Sequence, residues 1–326
     1  MLHLRIICPT ARGDEVCALL TAEPGVTNLV VLPGAGRQPA GDVVLCDVVR
    51  EAGSRVLTAL RERGLDEDGS IAVEHVDAAL SRVARAADQA VPGYGSDAMV
   101  WEEVEALTSA ESTLSWTYLA FMTIATLIAG VGVITDQPVL IVGAMVVGPE
   151  FGPLAGMCVA LVRGQWAALR QSARALLVGF AVAMAVTLGL TALGRVSGAV
   201  EPSMLDRSQP LTAFISRPDG FSLLVAMLAG AAGILSLTSA RSGALIGVLI
   251  SVTTVPAAGN AAVALALGHA GIAAGALLQL LINLAGILAA GVLVLLLQRR
   301  AGRDTRRPAG RTAGPVGTQD GARPVG

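Results

Sequence analysis

Between residues 114 and 298 the chain reads as six apolar stretches, each near the length that crosses a bilayer. They lie at about 116–135, 138–162, 173–196, 221–239, 243–268 and 271–297. No other feature narrows the possible folds so far. A backbone in hydrocarbon must satisfy its own N–H and C=O groups, so these stretches are expected to be helices. With 53% hydrophobic residues and a mean hydropathy of +0.66, the chain is too apolar for an ordinary soluble enzyme.

Charge divides the rest. Residues 1–113 carry eighteen acidic residues against nine arginines, a net charge of about −9. From Arg299 onward seven arginines stand against two aspartates. The reading is a folded domain at 1–80, a helical connector at 81–113, a membrane domain at 114–298 and a basic, disordered cytoplasmic tail at 299–326. Four cysteines without ligand spacing, three of them in the first domain, fit a reduced compartment. The N-terminus lacks a signal-peptide layout.

The first eighty residues alternate as strand, helix, strand, strand, helix, strand. "LHLRIICP", "VTNLVVLP", "DVVLCDVV" and "GSIAVEHV" are the strands, and "GAGRQPAG" is a loop. This βαββαβ order predicts a small α+β, ferredoxin-like domain. His3 and His75 fall on the first and fourth strands, neighbours in that topology, and read as ordinary strand histidines rather than a metal pair. The connector helix "AMVWEEVEALTSAEST" reads as a solvated linker. Its alternative role is a lever to the first span.

Arginines orient the spans. Arg163, Arg170 and Arg174 follow the second, Arg241 the fourth, and Arg299, Arg300, Arg303, Arg306 and Arg307 the sixth. Six spans put all of them on one side, the cytoplasm. The expected protein is multi-pass in the plasma (inner) membrane, with both termini cytoplasmic.

A shift of 104 residues lays "GAMVVGPEFGPLAGMCVALVRG" (143–164) on "GVLISVTTVPAAGNAAVALALG" (247–268). Both are the middle span of a three-span half, and both carry a proline break. Three is odd, so the second half is expected to be inverted. Matched breaks in inverted halves point to a binding site in a secondary transporter. The candidate residues are Gly148, Pro149, Glu150 and Pro153 in the first break and Pro256 and Asn260 in the second. Asn283 in the sixth span joins them. Proline frees backbone groups that must be buried or face a wet cavity. An ionised carboxylate in a bilayer core costs at least ~2.5 kcal/mol, so Glu150 should face protein or water, hold a proton, or hold a cation. Thr123, Thr126, Thr253 and Thr254 read as interhelical glue.

"LSWTYLAFMTIATLIAGVGVITDQP" leading into "VLIVGAMVVGPEFGPLAGMCVALVRG", behind a βαββαβ domain, resembles the family known as domain of unknown function 389. The resemblance implies a cytoplasmic N-terminal domain and a six-span core in a prokaryotic membrane protein. It supplies no activity or substrate. Glu150 departs from the family's pattern, in which an apolar residue usually follows the first proline.

The functional expectation is a secondary transporter or channel-like permease of a small solute or ion, regulated or assembled by the soluble domain. The alternative is a membrane-anchored ligand sensor or scaffold. Neither an HExxH motif nor a Ser-His pairing nor paired acids stand in the spans, so no enzyme, cofactor or metal is expected. The expected partners are the lipid bilayer, a small solute or ion and further copies of the chain, with no nucleic acid.

Overall fold

The computed structural model describes residues 1–76, 79, 81–91, 99–206, 212, 215, 219–239 and 254–304. An N-terminal α+β unit comes first. Its elements are β1 (Leu2–Cys8), α1 (Gly13–Ala22), β2 (Val26–Arg37), β3 (Ala40–Val48), α2 (Arg50–Arg61) and β4 (Ser70–His75). The strands form one four-stranded antiparallel sheet in the order β2-β3-β1-β4. Period-two alternation explains its faces. Leu2, Leu4, Ile6 and Cys8 are buried, as are Val44, Cys46 and Val48 on β3. They pack with Val16 and Leu20 of α1 and Val56, Leu57 and Leu60 of α2.

Two expectations for this unit are corrected. "GAGRQPAG" is no open loop, because β2 and β3 stay paired up to Arg37↔Ala40. The glycines permit this: a Cβ on Gly41 would lie 2.0 Å from the Cys8 carbonyl oxygen. His3 and His75 also do not meet. Register sets His3 opposite Glu74 and His75 opposite Leu2, so the two rings emerge on opposite faces. His3 bonds Asp47 through Nδ1 at 2.7 Å, while His75 Nε2 bonds Glu103.

The connector contains α3 (Arg82–Ala90) and α4 (Trp101–Glu111). α4 is not a solvated linker. Val104 and Thr108 are buried, and its acids find partners on both sides. Toward the sheet, Glu102 accepts from Ser54 Oγ at 2.8 Å and Thr58 Oγ1 at 3.1 Å. Glu103 pairs with Arg50 at 3.5 Å. Toward the helical region, Glu105 accepts from Arg163 Nε at 2.6 Å and Gln165 Nε2 at 2.9 Å.

The helical region comprises α5 (Trp116–Ile134), α6 (Pro138–Val147), α7 (Phe151–Arg163), α8 (Trp166–Val196), α9 (Ser203–Asp206), α10 (Gly220–Thr238), α11 (Val255–Leu267) and α12 (Ala270–Asp304). Among the described residues four helices are long and apolar enough to cross a membrane: α5, α8, α10 and α12. α6 and α7, expected as one span, are two helices bent by 55° at a short break, and count as a fifth span if taken together. The chain is thus a multi-pass membrane protein by its candidate spans. Of the expected fifth span, residues 243–253 lie outside the described residues. Its remainder, α11, has 13 residues. At 1.5 Å per residue that is about 20 Å, short of the ~30 Å of hydrocarbon.

The 104-residue shift found in the sequence holds for the helix bounds. It carries α5 onto α10 and α7 onto α11, end to end, and the start of α8 onto the start of α12. It carries the caps too. Ser115 Oγ accepts from Tyr118 N at 3.1 Å to start α5, and Asp219 Oδ1 accepts from Ser222 N at 2.7 Å to start α10. Gly164 (φ 72°) and Gly268 (φ 89°) end α7 and α11 in the left-handed region.

Close contacts at glycines give the helix directions. Tyr118 lies against Gly179 and Gly130 against Thr187, so α5 and α8 run parallel. Gly259 meets Thr126 and Gly130 meets Val263, so α11 runs parallel to α5. Gly286 meets Ala226, Gly230 meets Ile287 and Gly291 meets Ile234, so α10 and α12 are parallel. The link between α11 and α12 is only Gly268 and His269, which turns the chain back on itself. α12 therefore opposes α5, and α10 opposes α5 with it.

These approaches depend on missing side chains. A Cβ on Gly230 would stand 2.5 Å from the Ile287 carbonyl oxygen, whereas Gly189 has nothing within 4 Å. Gly230→Ala should cost about 1–3 kcal/mol and Gly189→Ala close to nothing, as measured by denaturant unfolding in detergent.

Candidate functional site

The break after α6 follows from its residues. Pro149 has no N–H to donate and forces its predecessor away from the helical region. Gly148 takes an extended conformation (φ −68°, ψ 125°) and ends α6. Glu150 then occupies the N-cap position of α7. Pro153 sits in the first turn, where a missing N–H costs least, and the ladder starts with Leu154 N donating to the Glu150 carbonyl at 3.3 Å. α11 repeats the design. Thr254 is at the N-cap, Pro256 is in the first turn, and Ala258 N donates to the Thr254 carbonyl at 3.0 Å.

The starts of the two short helices meet. Thr254 Oγ1 donates to Glu150 Oε1 at 2.9 Å, across 104 residues of sequence. The bond therefore joins positions equivalent under the internal shift. Glu150 is 0% exposed and Thr254 is equally buried. Around them the N-terminal ends of two short helices converge, each with backbone N–H groups that no intrahelical carbonyl satisfies. Neither N-cap side chain bonds its own helix's N–H groups, so the helix ends act on the carboxylate only through their partial positive charge. This explains how the chain keeps an acid in an apolar region without an arginine beside it in sequence.

The other expected residues divide. Pro149 and Gly148 border the carboxylate and are half-buried, while Pro153 and Pro256 are buried in the first turns of α7 and α11. Asn260 is buried one and a half turns along α11 and makes no hydrogen bond to Glu150 among the described residues. Asn283 is buried on α12, where its Oδ1 accepts from Gln279 Nε2 at 3.1 Å.

Sequence reasoning missed two residues. Thr254 was expected as glue, although the 104-residue shift already sets it opposite Glu150. Tyr118 of α5 is buried against Gly179, and its hydroxyl has no hydrogen-bond partner among the described residues. The aromatic residue at the entry to the first span was its only sequence signal.

α7 is held along its length by α4. Besides the Glu105 bonds, the Arg163 guanidinium lies 5.5 Å over the Trp101 ring. Ser172 Oγ bonds Ser112 Oγ at 3.0 Å, and both crowd the place of a missing Cβ on Gly156. At its far end Arg299 Nη1 donates to the Val162 carbonyl at 2.9 Å.

Residues 145–289 match the family described as Domain of unknown function (DUF389). This stretch is similar to that family's domain. It begins within α6, takes in both short helices and both halves of the Glu150–Thr254 bond, and ends within α12. The α+β unit, α4 and Tyr118 lie before it. The chain is also 24% identical over 158 residues to the uncharacterized protein MJ0678 of Methanocaldococcus jannaschii, covering 48% of this chain and 47% of that protein. The match thus spans about half the length of the relative. No solved structure matches the chain.

If the Glu150–Thr254 bond holds the two short helices together, Thr254→Val should cost about 1–3 kcal/mol, because a buried carboxylate loses a donor. Thr254→Ser should cost less than half of that. A double-mutant cycle with Glu150→Gln, read by unfolding, should return a coupling of about 0.5–3 kcal/mol.

Proposed function

We propose that this protein is a secondary transporter or channel-like permease for a small solute or ion, with its binding site where the two broken helices meet at Glu150. The observation that carries the reading is the buried Thr254–Glu150 bond, which unites equivalent points of the two half-helices. Opposed helix directions and the common 104-residue spacing support six spans in two inverted three-span halves. Transporters built so bind their solute at the interface of the repeats, where discontinuous helices offer their ends.

The reading extends to the rest of the chain. The βαββαβ order with sheet order β2-β3-β1-β4 supports a ferredoxin-like domain over residues 1–80. The connector at 81–113 passes its state to α7 through α4, and the membrane domain covers 114–298. Arginine placement supports cytoplasmic termini in the plasma membrane. Assembly with further copies through the soluble domain belongs to the same proposal.

The test is charge movement recorded on a solid-supported membrane, with the protein reconstituted in liposomes. Proton, sodium, small-anion and amino-acid gradients form the panel. Wild type should give a solute-dependent current, and Glu150→Gln, folded, should lose at least about tenfold of it, the worth of one hydrogen bond to a charged group. A wild-type current that Glu150→Gln leaves intact contradicts the assigned site. Silence of wild type across the panel favours the sensor or scaffold.

A further inference from the structure

A cavity stands apart from Glu150. It is a cleft of about 740 Å³ between the α+β unit, α4 and the start of the helical region. That volume is in the range of small-molecule sites, and junctions between folded units are where such sites concentrate. β4 and α2 form one wall, α4 the back, and α7 and α8 the other wall.

Its chemistry is selective. Leu57, Ile71, Val73, Leu107, Val159 and Ala160 make the surface largely apolar. Of the charged groups on it, Asp66, Glu102, Glu103 and Glu105 outnumber Arg61, so an anion is repelled. Three of the four acids have a cation of their own. Asp66 pairs with Arg61 at 3.1 Å, Glu103 with Arg50 at 3.5 Å and Glu105 with Arg163 at 2.6 Å. Glu102 differs. Its partners among the described residues are two neutral hydroxyls, Ser54 Oγ at 2.8 Å and Thr58 Oγ1 at 3.1 Å, with no ion pair. The same Ser54 oxygen accepts from Trp101 N at 3.0 Å, which fixes the backbone carrying Glu102. The result is a carboxylate held in place and bordered by apolar surface.

We propose that this cleft is a binding site for a small organic cation, an ammonium or amidinium on a compact apolar body, with Glu102 as its counter-ion. The carboxylate takes the charged head through charge-assisted hydrogen bonds, and the apolar walls take the body. A ligand seated there touches β4 and α2 on one side and α7 on the other, so it bridges the soluble unit and the helix that begins at Glu150. The inference is independent of the transport reading, because its readout is binding.

Full-length protein purified in detergent is titrated by calorimetry with cyclohexylammonium and, separately, with cyclohexanol and cyclohexanecarboxylate. Cyclohexylammonium should saturate and bind at least about tenfold tighter than cyclohexanol, the usual worth of one charge-assisted contact, with the carboxylate weakest. Glu102→Gln should bring the ammonium down to the level of the alcohol. Ile71→Ser should weaken ammonium and alcohol alike and preserve their ratio. Equal binding of the three probes, absence of saturation, or a Glu102→Gln protein that keeps the preference overturns the proposal. The comparison of probes on wild type tests the charge requirement even if Glu102→Gln fails to fold.

Discussion

A carboxylate sealed in an apolar helical region is the constraint around which the membrane part is arranged. Glu150 is wholly buried, and desolvating it is expensive unless fixed dipoles replace water. Two devices supply them. One is the Thr254 hydroxyl at 2.9 Å. The other is the convergence of two helix N-termini, each with a proline in its first turn. Each device needs the other half of the repeat. The first half contributes the acid and the second the hydroxyl, so neither half completes the junction alone.

Small residues make that exchange sterically possible. α11 consists largely of alanine and glycine and lies against α5 at Gly130 and Thr126. α7 in turn meets α12, where Cys158 Sγ approaches the Leu288 carbonyl at 3.8 Å and stands 2.8 Å from the place of a Cβ on Gly291. Each short helix thus packs on a long helix of the opposite half. α4 closes the arrangement from the side of the α+β unit. Its Glu102 and Glu103 are tied to α2 and the sheet, and its Glu105 is tied to the end of α7. A displacement of the sheet has a bonded route to the helix that begins at Glu150.

Much of this was legible in the sequence, for reasons that differ by element. Alternation in "LHLRIIC" dictated a half-buried strand, and β1 shows it residue by residue. Proline at 149 announced the break between α6 and α7, and the 104-residue shift set Thr254 opposite Glu150. Other features depended on neighbours that no local pattern contains. The partners of the acids on α4 lie 28 to 60 residues away, so the helix read as solvated. One position of register separated a histidine pair from two histidines on opposite faces. The glycines of "GAGRQPAG" signalled a loop, yet they serve close strand contact beside Cys8. Glu150 itself stood out at once, while its partner was hidden because threonine is common in apolar helices as mere glue.

The most direct test of the junction is infrared difference spectroscopy of the Glu150 carboxyl group in the reconstituted protein, using Glu150→Gln to identify its band. A hydrogen bond from Thr254 changes the carboxyl stretching frequency, so the band should move in Thr254→Val and return toward its original position in Thr254→Ser. A Glu150 band at the same frequency in wild type and Thr254→Val would contradict a junction built on this bond.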